Sequence, residues 1–253
     1  MLEGDDATTD AVTPTVRLGN ICQISDKVAR VTGTQQAVDH AGRDDEMAYQ
    51  ELLKGLELKR DMETILVGTN QAKNTGAAAT ARKTASILSW IKTNTSKSGS
   101  DPSAADGTGT RSDGTQRAFT ESLLKTVLQS CWNSGGKPDT IMVGGFNKQV
   151  FSTFTGRSTP QEDAKSKKIV ASVTAYESDF GVLKIVPNRF SRPRDALVLQ
   201  MDMWKLCYLP GRKMISIPLA KNGDSDRRQI LTEYTLEASN EKASGGVFDL
   251  TTS

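Results

Sequence analysis

The chain has 253 residues, of which 36% are hydrophobic and 25% charged, and its formal net charge is +2 from 32 basic and 30 acidic side chains. This length is enough for one large domain or two small ones with a real core. The near-balance of charge argues against a dedicated nucleic-acid binder, which usually carries a basic excess or stripe. No apolar run approaches the ~20 residues of a membrane-spanning helix, and the polar residues 1–15 do not form a signal peptide, so no membrane partner is expected.

The three cysteines indicate a chain that folds in a reducing compartment. Cys22, Cys131 and Cys207 are odd in number, far apart in sequence and form no CxxC pair. Cys131 falls on the apolar face of a predicted helix and Cys207 within a hydrophobic strand, so each is expected to be a buried, reduced thiol. This pattern predicts folding in the cytoplasm.

The first predicted elements are an extended segment, a strand and a long helix. Residues 1–16 are polar and Thr-rich and should be extended, and partial alternation of apolar residues predicts a strand over 17–31. A helix over 44–67 follows. Asp44 and Asp45 suit its N-terminus, where carboxylates satisfy free amides and the helix dipole, and a glycine directly after it suits its end.

The apolar stripe of this long helix changes face along its length. The two halves of the stripe differ by about a quarter-turn or more at ~100° per residue. The first half comprises Ala48, Tyr49, Leu52, Leu53 and Leu56, and the second half comprises Leu58, Met62, Ile65 and Leu66. Two interpretations follow: the helix packs on different partners at its two ends, or it is a plain core helix with a broad buried face.

Residues 93–116 contain no aromatic side chain and no aliphatic side chain larger than alanine. Such a segment cannot bury enough apolar surface to offset the entropy of ordering it. A loop of this length inside a domain is typically mobile or functional. We therefore predict an exposed, flexible insertion that trypsin should cut first, at Lys97 or Arg111.

A helix, a strand and a second helix are predicted next. Thr120 is the expected N-cap of the first helix, and Phe119 before it is expected to pack on Leu124 as a hydrophobic staple. The apolar face of this helix comprises Leu123, Leu124, Val127, Leu128 and Cys131. A buried strand over 140–143 and a short helix over 146–154 follow, the latter with an apolar face of Phe146, Val150 and Phe154. This order is typical of α/β-type packing.

The last third of the chain is predicted to be mostly strand. Strands are expected over 168–176, 182–186, 196–200, 204–209 and 228–238, the first two joined by an SDFG turn. The last strand alternates cleanly, which predicts that Glu233 and Glu237 point outward. The chain as a whole is predicted to be α+β, with no internal repeat.

No constellation of residues with catalytic chemistry is found. His40 is the only histidine and lies at a turn, where a surface or cap role is favoured over catalysis. Zinc needs about four Cys or His ligands, and none cluster. The SGGKP stretch at 134–138 fails as a phosphate loop, because Cys131 and Pro138 stand where Gly and Ser or Thr are required; helix termination explains it. We predict no enzyme, no catalytic residue, no metal and no cofactor.

Asn222, Asp224, Asp226 and Glu233 occupy the ligand positions of a calcium-binding EF-hand loop. However, Arg227 stands where the sharp turn of that loop requires glycine, and no predicted helices flank it. A polar hairpin turn is the better account.

Arg189, Arg192 and Arg194 form the one tight basic cluster of the sequence. Three roles are open for it: a solvated loop, an ion-pair site at an interface, or a contact with an anion.

The clearest runs of the sequence, in order, are VTGTQQAVDHAGRDDEMAYQELLKGLELKRDMETILVG, GTQRAFTESLLKTVLQSCW, PDTIMVGGFNKQVFSTFTGR, SDFGVLKIVPNRF, DALVLQMDMW and EYTLEASNEKASG. Together they resemble the major head protein of tailed bacteriophages with the Hong Kong 97 fold. The resemblance covers about residues 17–253, and none of these runs is a catalytic motif.

The resemblance implies an α+β fold divided along the chain. The divisions are an extended loop over 1–34, a peripheral domain with a long spine helix over 35–92, the flexible insertion over 93–116, an axial domain over 117–215, and a strand returning to the peripheral domain over 216–253. Residues 1–32 resemble the returning half of an extended hairpin that reaches over a neighbouring subunit.

The resemblance also implies function. It indicates a structural virion protein that self-assembles into an icosahedral head enclosing DNA, assembled in the cytoplasm of the bacterial host. The implied partners are the chain itself, as hexamers and pentamers, together with scaffold, portal and decoration proteins, and packaged DNA contacted non-specifically at the shell interior. The alternative is a cargo-enclosing compartment shell or binding module with the same fold.

One departure from the family concerns the start of the chain. Family members usually carry tens of residues before the run EGDDATTDAVTPTVRLGN, including an N-terminal arm and the outgoing strand of the hairpin, whereas Met1 here opens almost directly into it. A truncated gene product, an engineered chain or a shorter variant would each account for this. The resemblance therefore leaves complete exchange of the hairpin between subunits in doubt.

Overall fold

The computed structural model describes residues 14–39, 45–154 and 174–253, together with 3, 6, 9–12, 42–43 and the backbone of two short strands, 161–163 and 168–170. His40 and Asp44, and the roles predicted for them, lie outside the described residues.

The α-helices of the described chain are α1 (Gly33–Ala37), α2 (Glu46–Glu63), α3 (Ile87–Trp90), α4 (Glu121–Asn133) and α5 (Gly145–Phe151). The predicted long helix is α2 with a π-helical last turn, Thr64–Gly68. Its N-cap is Asp45, whose carboxylate accepts hydrogen bonds from the backbone N–H groups of Met47 and Ala48 at 2.9 and 3.2 Å. Two of the orphan amides of the first turn are thereby satisfied, as the sequence predicted.

The strands fall into two sheets and one separate pair. Their bounds are β1 (Gln23–Thr32), β2 (Asn94–Ser96), β3 (Thr140–Val143), β4 (Gln161–Asp163), β5 (Lys168–Val170), β6 (Ala175–Ser178), β7 (Gly181–Pro187), β8 (Ala196–Leu199), β9 (Trp204–Tyr208), β10 (Ile215–Pro218), β11 (Ser225–Ala238) and β12 (Gly245–Val247). The strands predicted over 140–143, 196–200, 204–209 and 228–238 are confirmed as β3, β8, β9 and β11. The predicted SDFG turn joins β6 to β7.

The first sheet is built around the long strand β11. β1 runs antiparallel to it over ten residues, from the pair Gln23–Tyr234 to the pair Thr32–Ser225, and β9 and β10 also pair with it. The second sheet is mixed and has the order β2-β12-β8-β3-β7-β6, and β4 pairs only with β5. Helix α2 packs on the first sheet and α4 on the second.

The apolar face of α4 is confirmed, and that of the following helix is confirmed in part. Leu124, Val127, Leu128 and Cys131 are buried, with Leu123 at the margin. In α5 the buried apolar side chain is Phe151, whereas Phe146, Val150 and Phe154 are only partly buried. Val150 and Phe154 pack against the same core cluster as Leu123, whereas the predicted end of the helix at 154 was wrong, because the helix already ends at Phe151 and Phe154 lies beyond the last turn.

Thr120 occupies the N-cap position of α4, but its side chain makes no capping hydrogen bond, so that part of the prediction was wrong. Phe119 joins the same buried cluster as Leu124 and lies edge-on to Phe154, with ring centroids 5.0 Å apart. Aromatic packing rather than a side-chain cap holds the chain at the entry to α4.

The prediction that residues 93–116 form an exposed, flexible insertion is contradicted. The segment begins with β2, which pairs parallel to β12 inside the second sheet, and Asn94, Pro102 and Gly107 are buried. Arg111 is only 4% exposed, so it is no accessible trypsin site, whereas Lys97 is exposed and cleavage there stays a prediction. Polar contacts, which composition does not reveal, hold this segment in place.

Two predictions about single side chains also need correction. Glu233 was expected to point outward, but it is 4% exposed and its carboxylate pairs with Arg212 and Arg82. Both faces of β11 are covered at this point, since residues 230–234 are all buried. Cys207 is partly exposed and its thiol donates to Glu237, whereas Cys131 is buried, which raises the pKa of its thiol to about 12.

Candidate assembly surface

The residues that suggested a calcium site do not come together. Asp226 pairs with Lys221 at 2.8 Å, and Glu233 pairs with the two arginines already named. Within the described residues, no group of three or more His, Cys, Asp or Glu side chains is placed to hold a metal ion. The loop between β10 and β11 is a polar hairpin connection with Gly223 in the left-handed region, as expected.

The SGGKP stretch ends a helix. The backbone N–H of Gly135 donates to the carbonyl of Trp132, and that of Gly136 donates to the carbonyl of Cys131, both at 2.9 Å. Gly135 has φ +81, a left-handed conformation that glycine adopts at helix C-termini. These bonds satisfy carbonyls of the last turn of α4, which agrees with helix termination.

Two members of the arginine cluster form ion pairs within the subunit. Arg192 contacts both carboxylate oxygens of Asp113 at 2.6 and 2.7 Å, and Arg194 pairs with Asp249 at 2.9 Å. Arg189 is exposed. Arg192 and Arg194 therefore tie the segment around Asp113 to the body of the protein, and their charge is already compensated.

An uncovered apolar face lies on α2. The first half of its predicted stripe faces solvent, with Tyr49 40%, Leu52 61% and Leu56 49% exposed. The opposite side of the helix, with Met47, Leu58 and Met62, is buried. This contradicts the interpretation of α2 as a core helix with one broad buried face, because the two half-stripes point to different sides of the helix.

The exposed face of α2 continues into a shallow cleft. Leu53 and Leu56 line it on the helix side, and Phe190 lines it from the loop that follows β7. The rim is charged and carries Glu57, Lys59, Arg60 and Glu63. Gly68 allows the two walls of the cleft to approach each other closely, because a Cβ at this position would lie 2.1 Å from the Phe190 carbonyl oxygen. An apolar floor with a polar rim is typical of protein–protein contact sites.

The described residues that precede β1 are also uncovered. Val12 is 91%, Val16 83% and Leu18 52% exposed. With Pro14 they alternate with polar residues, so that in an extended chain they share one side. The segment joins the body at Asn20, whose amide donates to the Leu236 carbonyl at 2.8 Å and accepts from the Ala85 N–H at 2.8 Å.

Sequence reasoning grouped Leu52 and Leu56 on one face of α2 but did not predict the exposure of that face, and it did not single out the apolar residues before β1. Periodicity shows that Leu52 and Leu56 share a face, yet it cannot show whether a neighbouring element of the same subunit covers that face. None of the helices in the described part of the chain is long and apolar enough to cross a membrane. Apolar surface left open on a helix and on an extended segment is typical of subunits that build larger assemblies.

The same fold is found in the subunits of a phage procapsid and of an encapsulin complex. A subunit of the satellite phage P4 procapsid, in a structure that includes the size determination (Sid) protein, superposes with a TM-score of 0.58 at 10% identity, over 99% of this chain and 78% of that one. The holo-SrpI encapsulin complex of Synechococcus elongatus PCC 7942 superposes with a TM-score of 0.54 at 10% identity, over 92% of this chain and 75% of that one. The predicted α+β Hong Kong 97-like capsid fold is confirmed.

The sequence places the chain within this class. The family model described as SU10 major capsid protein matches residues 1–251, and the chain belongs to that family. The major capsid protein of Escherichia phage Phieco32 is 25% identical over 284 residues, which cover 98% of this chain and 80% of that protein. The predicted function, a structural major capsid protein of a phage, is thereby confirmed, and the cargo-compartment alternative fits less well.

Proposed function

We propose that copies of this chain form the hexamers and pentamers of an icosahedral phage head, and that the exposed face of α2 and the extended segment 12–18 are contact surfaces between them. The observation that carries the proposal is the exposure of Leu52 and Leu56 on a helix whose other side buries Met47, Leu58 and Met62. Burying a leucine side chain contributes about 1.5–3 kcal/mol, so a neighbour that covers both gains substantially.

The apolar and charged side chains of the extended segment of a neighbouring copy complement those of this cleft. Its apolar side, Val12, Pro14, Val16 and Leu18, can lie on Leu53, Leu56 and Phe190. Arg17, on the other side of the segment, can meet the carboxylates of Glu57 or Glu63 at the rim. An extended chain anchored at one end, as this segment is at Asn20, reaches about 3.3 Å per residue from its anchor.

Further roles follow from this proposal together with the family. The domain division given above is retained, except that residues 93–116 are part of the folded body. Scaffold, portal and decoration proteins and packaged DNA are proposed as additional partners, the DNA being contacted non-specifically. Assembly is proposed to take place in the host cytoplasm. Membership of a structural capsid family supports the expectation that the chain is not an enzyme.

The test is the double substitution Leu52→Glu and Leu56→Glu. Both side chains are exposed in the subunit, so the free energy of unfolding should change by no more than about 0.5 kcal/mol per site. Two carboxylates on this face should prevent close contact with a neighbour. We expect electron microscopy to show shells or rings for the wild type and only single subunits for the variant.

The matched control is Ser122→Glu with Thr126→Glu, which places two glutamates at the same i, i+4 spacing on an exposed polar face of α4. The control should assemble as the wild type does. If the α2 variant still forms shells, this face is no assembly contact. If the wild type stays strictly monomeric, the proposal of self-assembly itself fails.

A further inference from the structure

Residues 98–114, called here the latched loop, form a closed excursion whose two ends meet. Ser100 and Ser112 exchange backbone hydrogen bonds of 3.0 and 2.9 Å across the neck. Gly99 and Gly114 approach so closely that a Cβ on Gly114 would lie 2.3 Å from the Gly99 nitrogen. The loop therefore leaves the body and returns to it at a single point.

One carboxylate pins that point. Asp249, only 2% exposed, accepts hydrogen bonds from the backbone N–H groups of Ser98 at 2.9 Å and Gly99 at 2.8 Å on one oxygen. Its other oxygen accepts from the N–H of Gly114 at 2.7 Å and from Arg194 at 2.9 Å. Both strands of the neck are thus held by the same side chain, which lies in the C-terminal segment after β12.

The rest of the loop is held by a buried arginine and by hydrogen bonds with Asn70, Lys73 and Ser89 of the body. The guanidinium of Arg111 donates to Asp101 at 2.6 Å and to the Ile91 carbonyl at 2.8 Å, and lies 3.5 Å from the centroid of the Phe248 ring. The loop also covers apolar surface, since a Cβ at Gly107 would lie 3.1 Å from the ring of Trp90. Trp90 and Phe248 are 3% and 0% exposed beneath it.

Because of its composition, the loop stays ordered only while its hydrogen bonds to the body are made. The loop contains no large apolar side chain, so its order depends on hydrogen bonds, and the charge-assisted ones at Asp249 and Arg111 are the strongest class among them. Burial acts to raise the pKa of Asp249, but the three backbone N–H donors and Arg194 outweigh it and hold the pKa below its usual range. The latching carboxylate is therefore ionised at neutral pH.

We propose that Asp249 is a latch, and that the loop 98–114 opens as a unit when this carboxylate is lost, while the two sheets and α4 remain folded. Opening uncovers Trp90 and Phe248 and replaces the outer surface of this part of the subunit. The hydrogen bonds of Asp249 thereby determine whether the loop or the residues beneath it form the surface of the subunit. This proposal does not depend on the α2 contact proposed above.

The test is Asp249→Asn in the full chain, followed by hydrogen exchange with mass spectrometry. Asparagine tolerates the left-handed backbone of this position, φ +62, and keeps the shape of the side chain while removing its charge. We expect amides of 98–114 to exchange more than tenfold faster relative to those of α4 and β11, and trypsin to cut first at Arg111. Asp179→Asn, an exposed carboxylate in the β6–β7 turn, is the control and should change neither readout.

Equal acceleration of the loop and the sheets, or no acceleration of the loop, would overturn the proposal. If the variant fails to fold, exchange of the wild type in increasing urea decides instead. Loop amides that exchange at low urea, before those of β11, support the latch, whereas loop amides that exchange only with global unfolding refute it.

Discussion

Asp195 is a buried carboxylate whose ionised form lowers the stability of the folded protein. It is 3% exposed, and burial, the largest influence, raises its pKa to about 6, although Arg192 and Arg111 act in the opposite direction. Arg192 approaches it at 3.4 Å, but one carboxylate oxygen has no hydrogen-bond partner among the described residues. The charge of Asp195 is therefore poorly compensated compared with that of Asp249.

This predicts a specific pH dependence of stability. In the unfolded chain an aspartate ionises near pH ~3.9, whereas folded Asp195 ionises at about 6. Between these values the folded state binds more protons, so the contribution of Asp195 to stability falls as pH rises from about 4 to about 6, by on the order of 3 kcal/mol. Asp195→Asn should remove this contribution, measured as the difference in urea unfolding free energy between wild type and variant at pH 4.5 and pH 7.

The difference between the two proteins, not the absolute slope, is the readout, because Asp249 and other carboxylates titrate in both. Asp179→Asn, at an exposed site, should run parallel to the wild type. Parallel behaviour of Asp195→Asn would show that this carboxyl titrates normally in the folded state.

At the scale of single elements, the two main helices begin in different ways. α2 starts with a side-chain cap, because Asp45 accepts hydrogen bonds from two backbone N–H groups, and Gln36 orients its carboxylate from 2.9 Å. α4 starts without one, and its entry is fixed by the packing of Phe119 on Phe151 and Phe154. The sequence signal, a small polar residue before an apolar run, is the same in both.

We therefore expect opposite outcomes from two alanine substitutions. Thr120→Ala should change the free energy of unfolding by less than about 0.5 kcal/mol, because no capping bond is lost. Asp45→Ala should destabilise the protein measurably more, because two amides lose their acceptor. Thermal unfolding of both variants against the wild type checks this, and equal effects of the two would contradict the assignment of caps.

At the scale of the whole molecule, the C-terminal residues close the fold. β12 lies between β2 and β8 inside the second sheet, and Phe248 and Leu250, directly after it, are fully buried. β11 belongs to the first sheet, so the few residues between β11 and β12 carry the chain from one sheet to the other. The two sheets are thus completed by one continuous segment.

Removing residues 241–253 should therefore abolish folding rather than weaken it. The truncation leaves β2 and β8 unpaired on their shared side and deletes Asp249, which pins the latched loop. We expect that the truncated chain is insoluble or shows no cooperative unfolding transition when it is followed by circular dichroism. Removing only Thr252 and Ser253, which lie beyond the buried residues, should leave that transition intact, and a folded 1–240 chain would refute this account.

The sequence by itself determined the elements whose order is local. Periodicity and turn residues were sufficient for α2, α4 and the strands β3, β8, β9 and β11, because a helix or strand pattern is written in neighbouring residues. The resemblance of several separated runs was sufficient for the capsid class. It did not require knowing any contact.

Only the tertiary structure decided what each face meets. Leu52 and Glu233 illustrate both directions: the apolar residue is exposed because no element of the subunit covers it, and the carboxylate is buried because two arginines from distant segments reach it. Residues 98–114 are ordered for the same reason, since Asp249 lies at least 135 residues further along the chain. Composition reports how much apolar surface a segment can bury, whereas contacts between charged groups far apart in sequence depend on how the chain is folded.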